Sequence, residues 1–253
     1  MGQRKLAEPL ARARVVQNGL LPQQKPPLET LDYAGTCIQA RTVGGDYYDF
    51  LDMGPAEVGF VLADVAGKGI AAALLMANLQ GILHSQYNTG SNDLPRLLAS
   101  VNRHFHKHTS KRRYATLFLE QYSDATLRYV NCGHNPPLLL RNGDTVERLD
   151  ATATVLGLFL EWECSVGEAH LEGGDVFSIY SDGITEATGP GGEEFGETRL
   201  VEALQKNREL EAACVVQNME NAAEQFRAGE QEDDLTLSCP VGWPKSTPGS
   251  RAF

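Results

Sequence analysis

Cysteine is scarce and never paired at CxxC spacing. Cys37, Cys132, Cys164, Cys214 and Cys239 are scattered through 253 residues. An odd number of thiols, most set among apolar neighbours, argues against a disulfide scaffold or a cysteine-built zinc site. It fits reduced thiols in a cytoplasmic protein. Long hydrophobic runs are missing too: none approaches the roughly 18 residues a spanning helix needs. The opening MGQRKLAEPLARARVVQ has no apolar segment of the kind a secretory signal carries. Membrane insertion is therefore not expected. Positive charge is in deficit, with 22 Lys and Arg against 33 Asp and Glu and a net charge of −11. Binding to nucleic acid needs a basic face to neutralise phosphates, so nucleic acid is not an expected partner. The chain also lacks GxxxxGK[ST] and GxSxG, and offers no plausible Cys/His nucleophile pair.

What is present reads as alternating blocks of strands and helices. Residues 4–20 form a helix with Leu6, Leu10, Ala13, Gln17 and Leu20 on a heptad-like stripe. It stops at Gly19 and Pro22. That stripe serves equally a dimerising helix or one docked on its own domain. After a proline-rich connector come three strands, LDYAGTCIQA, DYYDFLDM and VGFVLADV, and a helix over 70–86. A second helix has Asn92 or Asp93 as cap and Leu94, Leu97, Leu98, Val101 and Phe105 on one face. Strands follow (YATLFLEQY, TLRYVNCG, PPLLLR, TVERL, CSVGEAHL, DVFSIYSDG), then helices near 197–206 and 211–228, and a final strand DDLTLSC. Grouped strands and grouped helices predict an α+β fold of antiparallel sheets with helices packed outside. The expected divisions are an N-terminal linker or dimerisation helix over 1–22, a catalytic domain over 23–240 and a disordered tail over 241–253.

Aspartate is unfavourable in strands, yet four positions put it at strand ends. Asp46 follows Gly44-Gly45. Asp64 ends VGFVLAD before AGKG, and Asp182 ends DVFSIYSD before Gly183. Asp233 and Asp234 open the last strand. Any one alone reads as a turn residue. Gathered together they repel, so a cluster of them implies bound cations, and hard oxygen donors suit Mg²⁺ or Mn²⁺. Two such ions can activate a water and clamp a phosphoryl group.

The ordered set VGGDYYDF, LADVAGKGIAAALLMA, YATLFLEQY, NCGHNPPLLL, LGLF, SIYSDGITEA, FGETRL and DDLTL resembles the metal-dependent PPM-type serine/threonine protein phosphatases. Within them it is most similar to the bacterial SpoIIE/RsbU-like branch, over about residues 20 to 240. The resemblance implies a four-layer α-β-β-α sandwich with two divalent cations, Mn²⁺ or Mg²⁺, at one end. It implies that Asp64 bridges the ions, the Val65 carbonyl adds a ligand, Asp46 serves one ion, and Asp182 and Asp233 complete the other. These four aspartates would act catalytically through the metals. Asp49, Asp234 and Gly183 are expected behind the ligands or as substitutes for one. Strand alternation puts Asp49 near the opposite face from Asp46, and Asp233 on a face with Leu235 and Leu237.

The branch further implies a phosphorylated STAS-type anti-sigma-factor antagonist as substrate, in a partner-switching pathway. Homodimerisation through the first helix is expected as well. A catalytically silent module of the same fold is the rival reading, although acids occupy every ligand position. Where many relatives place a proton-donating histidine, this chain has Ala66. His134, in a turn between Gly133 and Pro136, reads as structural. His104, His106 and His108 read as a solvated helix end.

Overall fold

The computed structural model describes residues 2–87, 93–109, 113–143 and 145–242. The chain opens with α1 (Gly2–Asn18), then β1 (Leu31–Ile38), β2 (Asp46–Gly54), β3 (Glu57–Val65), α2 (Ile70–Tyr87) and α3 (Leu94–His108). It continues through β4 (Ala115–Ser123), β5 (Thr126–Cys132), β6 (Leu138–Leu140), β7 (Val146–Arg148), β8 (Gly167–His170) and β9 (Val176–Tyr180). It ends with α4 (Asp182–Thr185), α5 (Gly196–Asn207), α6 (Ala212–Phe226) and β10 (Leu235–Gly242). Asp93 caps α3 by accepting from the Arg96 amide, with Pro95 in the first turn. Asn92 lies outside the described residues.

Two antiparallel five-stranded sheets form, in the orders β1-β10-β9-β6-β7 and β2-β3-β4-β5-β8. Alternation along the strands sorts the side chains into three apolar layers. Tyr47, Leu51, Val61, Ala63, Leu117 and Leu119 pack beneath α2 and α3. Tyr48, Phe60, Leu62, Phe118, Phe177 and Ile179 fill the space between the sheets. Val176, Tyr180, Leu235 and Leu237 lie beneath α5 and α6. The result is the α-β-β-α sandwich expected from the sequence. No helix among the described residues is long and apolar enough to cross a membrane.

Three boundaries differ from the reading of the sequence. Val241 and Gly242, assigned to the tail, complete β10 by pairing with Asp32 and Leu31 of β1. The rest of that tail lies outside the described residues. Asp233 and Asp234 precede β10, whose first residue is Leu235. Asp182 does not end β9 but starts the one-turn helix α4.

Among the buried polar groups of the described residues that lack a hydrogen-bond partner, Glu120 is the carboxylate. Glu120 alternates with Phe118 and Tyr122 toward the space between the sheets, opposite Phe60 and Tyr129 in register. It is fully buried, and neither carboxyl oxygen has a hydrogen-bond partner among the described residues. Burial pushes its carboxyl well above the usual carboxylate range. A raised carboxyl binds more protons folded than unfolded, so stability falls as pH rises above the ordinary glutamate value. Glu120→Leu is expected to stabilise the protein by about 2 kcal/mol near pH 8 and by less at pH 5. Chemical denaturation at the two pH values measures this; an equal or opposite effect would refute it.

Candidate metal centre

Asp46 is the first residue of β2 and stands directly opposite Asp64 of β3 in the antiparallel register. Both share the alternation of Tyr48, Phe60 and Leu62, which aims them into the space between the sheets at one end. Asp46 is 2% exposed, and its carboxylate accepts a 2.5 Å hydrogen bond from Thr236 of β10 in the other sheet. β10 lies beside β9, with Leu237 opposite Tyr180. The Ser181 amide donates to the Thr236 carbonyl (2.9 Å), and the Thr236 amide donates back to Ser181 Oγ (2.9 Å). Ser181 Oγ in turn donates to the Asp234 carbonyl at 3.2 Å. Those bonds lace the segment carrying Asp182 to the one carrying Asp233 and Asp234.

The glycines have steric reasons to be there. A Cβ on Gly44 would fall 1.8 Å from Asp234 Oδ2, and one on Gly183 would fall 2.0 Å from the Asp234 carbonyl oxygen. On Gly45 it would meet the Val65 carbonyl oxygen at 2.7 Å and the Ala72 methyl at 3.2 Å. The backbone of residues 44–46 can therefore lie against both the last loop and the end of β3.

The two aspartates of the last motif do different work. Asp234 accepts the amides of Ala40 (2.9 Å), Gly45 (2.8 Å) and Asp46 (3.4 Å). Its carboxylate is consumed in holding the loop that delivers Asp46. Asp233 is half-exposed and pairs with Lys68 Nζ at 2.8 Å, on the turn that follows Asp64. Lys68 also donates to the Glu232 carbonyl.

Charge accumulates across this end of the sandwich. Burial, then the Asp64 and Asp234 charges, push Asp46 well above the usual range against the hydrogen bonds of Thr236 and Ser181. Burial, then Asp182, Asp233 and Asp234, push Asp64 up to about 7. Asp182 is raised by burial and by Asp233, opposed by the Gly183 amide and Lys68. Asp46, Asp64 and Asp182 thus lie in the field of neighbouring carboxylates that include Asp233 and Asp234, and among the described residues Lys68 is the one cation ion-paired to the set. A set of hard oxygen donors lacking positive charge fits divalent cations. Asp46, Asp64, Asp182, Asp233 and the Val65 carbonyl are the groups that could hold them. Among the described residues no three such side chains already converge on a single point.

Asp49 is not brought to this cluster. It faces α2, accepting from the Tyr47 hydroxyl (2.5 Å) and the Phe50 amide (2.8 Å) and contacting His84 Nε2 at 2.6 Å. That bond with Asp49 raises the His84 pKa, so the pair ties α2 to β2.

Gln17 escaped the reading of the sequence as a site residue. Buried at the end of α1, it donates from Nε2 to the Gly44 carbonyl (2.7 Å) and accepts the Gly44 amide on Oε1 (3.1 Å). The signal was a glutamine standing on an otherwise apolar stripe. Thr236, between two buried leucines, was the comparable sign in β10. Gln17→Ala leaves the backbone N–H and C=O of buried Gly44 without these partners, at a cost of about 2 kcal/mol. A matching fall in unfolding free energy, accompanied by weaker Mn²⁺ binding in calorimetry, is expected; unchanged Mn²⁺ affinity would confine Gln17 to a structural part.

The family model for stage II sporulation protein E (SpoIIE) matches residues 54–239. The chain belongs to the SpoIIE family. It is 28% identical over 238 residues to phosphoserine phosphatase RsbU of Bacillus subtilis (strain 168), covering 93% of this chain and 70% of that one. Of other curated relatives it spans smaller shares, 40%, 38% and 23% of their lengths. Its fold matches the SiaA-PP2C domain of Pseudomonas aeruginosa with a TM-score of 0.85 at 19% identity, over 96% of this chain and 99% of that one. The catalytic domain of the serine/threonine phosphatase PstP, solved with two manganese ions, matches with a TM-score of 0.63 at 18% identity, over 85% and 99%. By family it is a SpoIIE-type chain, and its fold is the one these PP2C phosphatase structures share. The SpoIIE-family match includes Asp64, Asp182, Asp233 and Asp234 and begins after Asp46.

Proposed function

We propose that the domain hydrolyses phosphoserine or phosphothreonine on a STAS-type anti-sigma-factor antagonist in a partner-switching pathway. Two Mn²⁺ or Mg²⁺ ions would be held by Asp46, Asp64, Asp182, Asp233 and the Val65 carbonyl. The observation that carries this reading is the crowding of these carboxylates beside, among the described residues, a single paired ammonium. The relationship to phosphoserine phosphatase RsbU supports the substrate class, and the two manganese ions of PstP support the metals.

When bound, the ions would supply a water acidic enough to attack at neutral pH and positive charge for the phosphoryl oxygens. Every other contribution comes from the chain. Asp64 faces Asp46 across the register and feels Asp182 and Asp233, which supports a bridging role for it between the two halves of the centre. Asp234 and Gln17 hold the loop before Asp46 rigid from two sides. Ala66 offers no proton donor, so the leaving serine oxygen takes its proton from water. We place the protein in the cytoplasm and propose a homodimer through α1. That helix leaves Val15 and Val16 exposed beside an apolar groove of about 380 Å³ lined by Leu10, Ala13, Leu20, Ile70 and Leu74.

Phosphate release from a phosphoserine peptide, with Mn²⁺ and with EDTA, tests the activity. Release that needs Mn²⁺ supports it. Two ions bound in calorimetry without turnover would indicate a centre awaiting an activator. No ion bound would leave a silent partner-binding module.

A further inference from the structure

His134 is buried in the link between β5 and β6, and the proposed reaction leaves it without a part. Its ring joins the two sheets. Nδ1 lies 3.0 Å from Thr116 Oγ1 of β4, and Nε2 lies 3.1 Å from the Tyr180 carbonyl of β9. Thr116 is the register partner of Asp64 on β3. Tyr180 is two residues before Asp182. We propose that His134 is a positioning residue, a strut whose two hydrogen bonds set the separation of the segments carrying Asp64 and Asp182. Through that separation it sets the affinity of the centre for divalent cations. The inference rests on the metal-centre reading above.

The chemistry of the partners settles the ring's tautomer. A carbonyl oxygen only accepts, so the proton sits on Nε2 and is donated to Tyr180. Nδ1 then carries the lone pair and accepts from the Thr116 hydroxyl. Burial pushes the imidazole down to about 4, so the neutral form persists across the physiological range. No charge change disturbs the strut there.

The surrounding turn holds the ring in place. The His134 amide donates to Asn131 Oδ1 at 2.8 Å, and Asn131 Nδ2 donates to the Leu149 carbonyl at 3.1 Å. Gly133 has φ of +66°, and a Cβ there would meet Val155 Cγ1 at 2.9 Å. Glycine therefore permits the reversal that swings the imidazole in between the strands. The sheets already pack through apolar side chains, whose contacts are non-directional. Directional bonds at the site end fix what apolar contact leaves free.

Thr116→Val removes the donor while keeping the side chain's shape, Thr116→Ser keeps the donor, and His134→Gln removes the ring. Each is compared with wild type in Mn²⁺ calorimetry, in metal-free thermal unfolding and in phosphopeptide kinetics. Groups that orient metal ligands typically change metal affinity 10–100-fold, so Thr116→Val and His134→Gln are expected to weaken Mn²⁺ binding about tenfold. A fall in kcat at unchanged KM should accompany this, and Thr116→Ser should match wild type. Wild-type Mn²⁺ affinity in Thr116→Val, whatever its melting temperature, would overturn the strut. So would a serine variant as weak as valine. A wild type that binds no Mn²⁺ would instead overturn the metal centre and this inference with it.

Discussion

Asp64→Asn is expected to abolish Mn²⁺-dependent phosphate release while making the metal-free protein more stable. The two effects have one origin. Asp64 lies opposite Asp46 in register and within the fields of Asp182, Asp233 and Asp234, which with burial push it up to about 7. Its charge is unfavourable until a cation offsets it. Losing an ion's charge stabilisation and its acidic water removes several kcal/mol from the transition state, a rate loss on the order of 10³ or more.

The sign of the stability effect follows from linkage. Between the unfolded value near 3.8 and about 7, the folded protein binds more protons at Asp64 than the unfolded chain does. Its stability therefore falls as pH rises through that window. Asparagine carries no such penalty, so the metal-free gain is absent below about pH 4 and complete above about pH 7. Shared among coupled carboxylates, the gain amounts to about 2 kcal/mol, several degrees in Tm. Thermal unfolding in EDTA and single-turnover phosphate release measure both arms. An active Asp64→Asn variant would remove the bridging assignment. An inactive variant that is less stable at pH 8 without metal would show that the damage is to the fold.

Asp233→Asn and Asp234→Asn, neighbours in sequence, are expected to fail in opposite ways. Asp234 receives three backbone amides, from Ala40, Gly45 and Asp46. In asparagine, either orientation of the amide sets its NH₂ against one of those N–H groups. The expected loss is about 3 kcal/mol of stability, roughly 10 °C in Tm. Asp233 pairs half-exposed with Lys68, a contribution of at most about 1 kcal/mol, and its bond from the Asp234 amide (3.0 Å) is one that an asparagine Oδ1 keeps. Its substitution should leave Tm nearly unchanged and weaken Mn²⁺ binding by about tenfold or more. If Asp233→Asn bound Mn²⁺ as wild type does, and Asp234→Asn folded normally without binding, the ligand would be Asp234.

Much of the molecule was legible in the chain. The β-rich runs of residues 31–65 and 114–182, set apart by glycine and proline turns, marked the strands. The spaced leucines of residues 94–105 marked a helix face. Carboxylates beside glycines at Asp46, Asp64 and Asp182 announced a centre, because isolated aspartates at strand ends have no packing reason to recur. These are local signals, readable from neighbours within a few residues. Tertiary structure decided the rest. Alternation put Asp46 and Asp49 on opposite faces of β2, but packing gave Asp49 its partner in His84, 35 residues further on.

The last motif divides between Asp233, turned to Lys68, and Asp234, turned to the Gly44–Asp46 loop nearly 190 residues away in the chain. Gln17 holds that same loop from the other end of the sequence. No local pattern encodes such pairings. A backbone amide looks alike at every position, and which carboxylate or carboxamide meets it depends on how the sheets and α1 pack. Sequence by itself determined the layers and the acidic inventory. The closing of loops over distance assigned each acid its work.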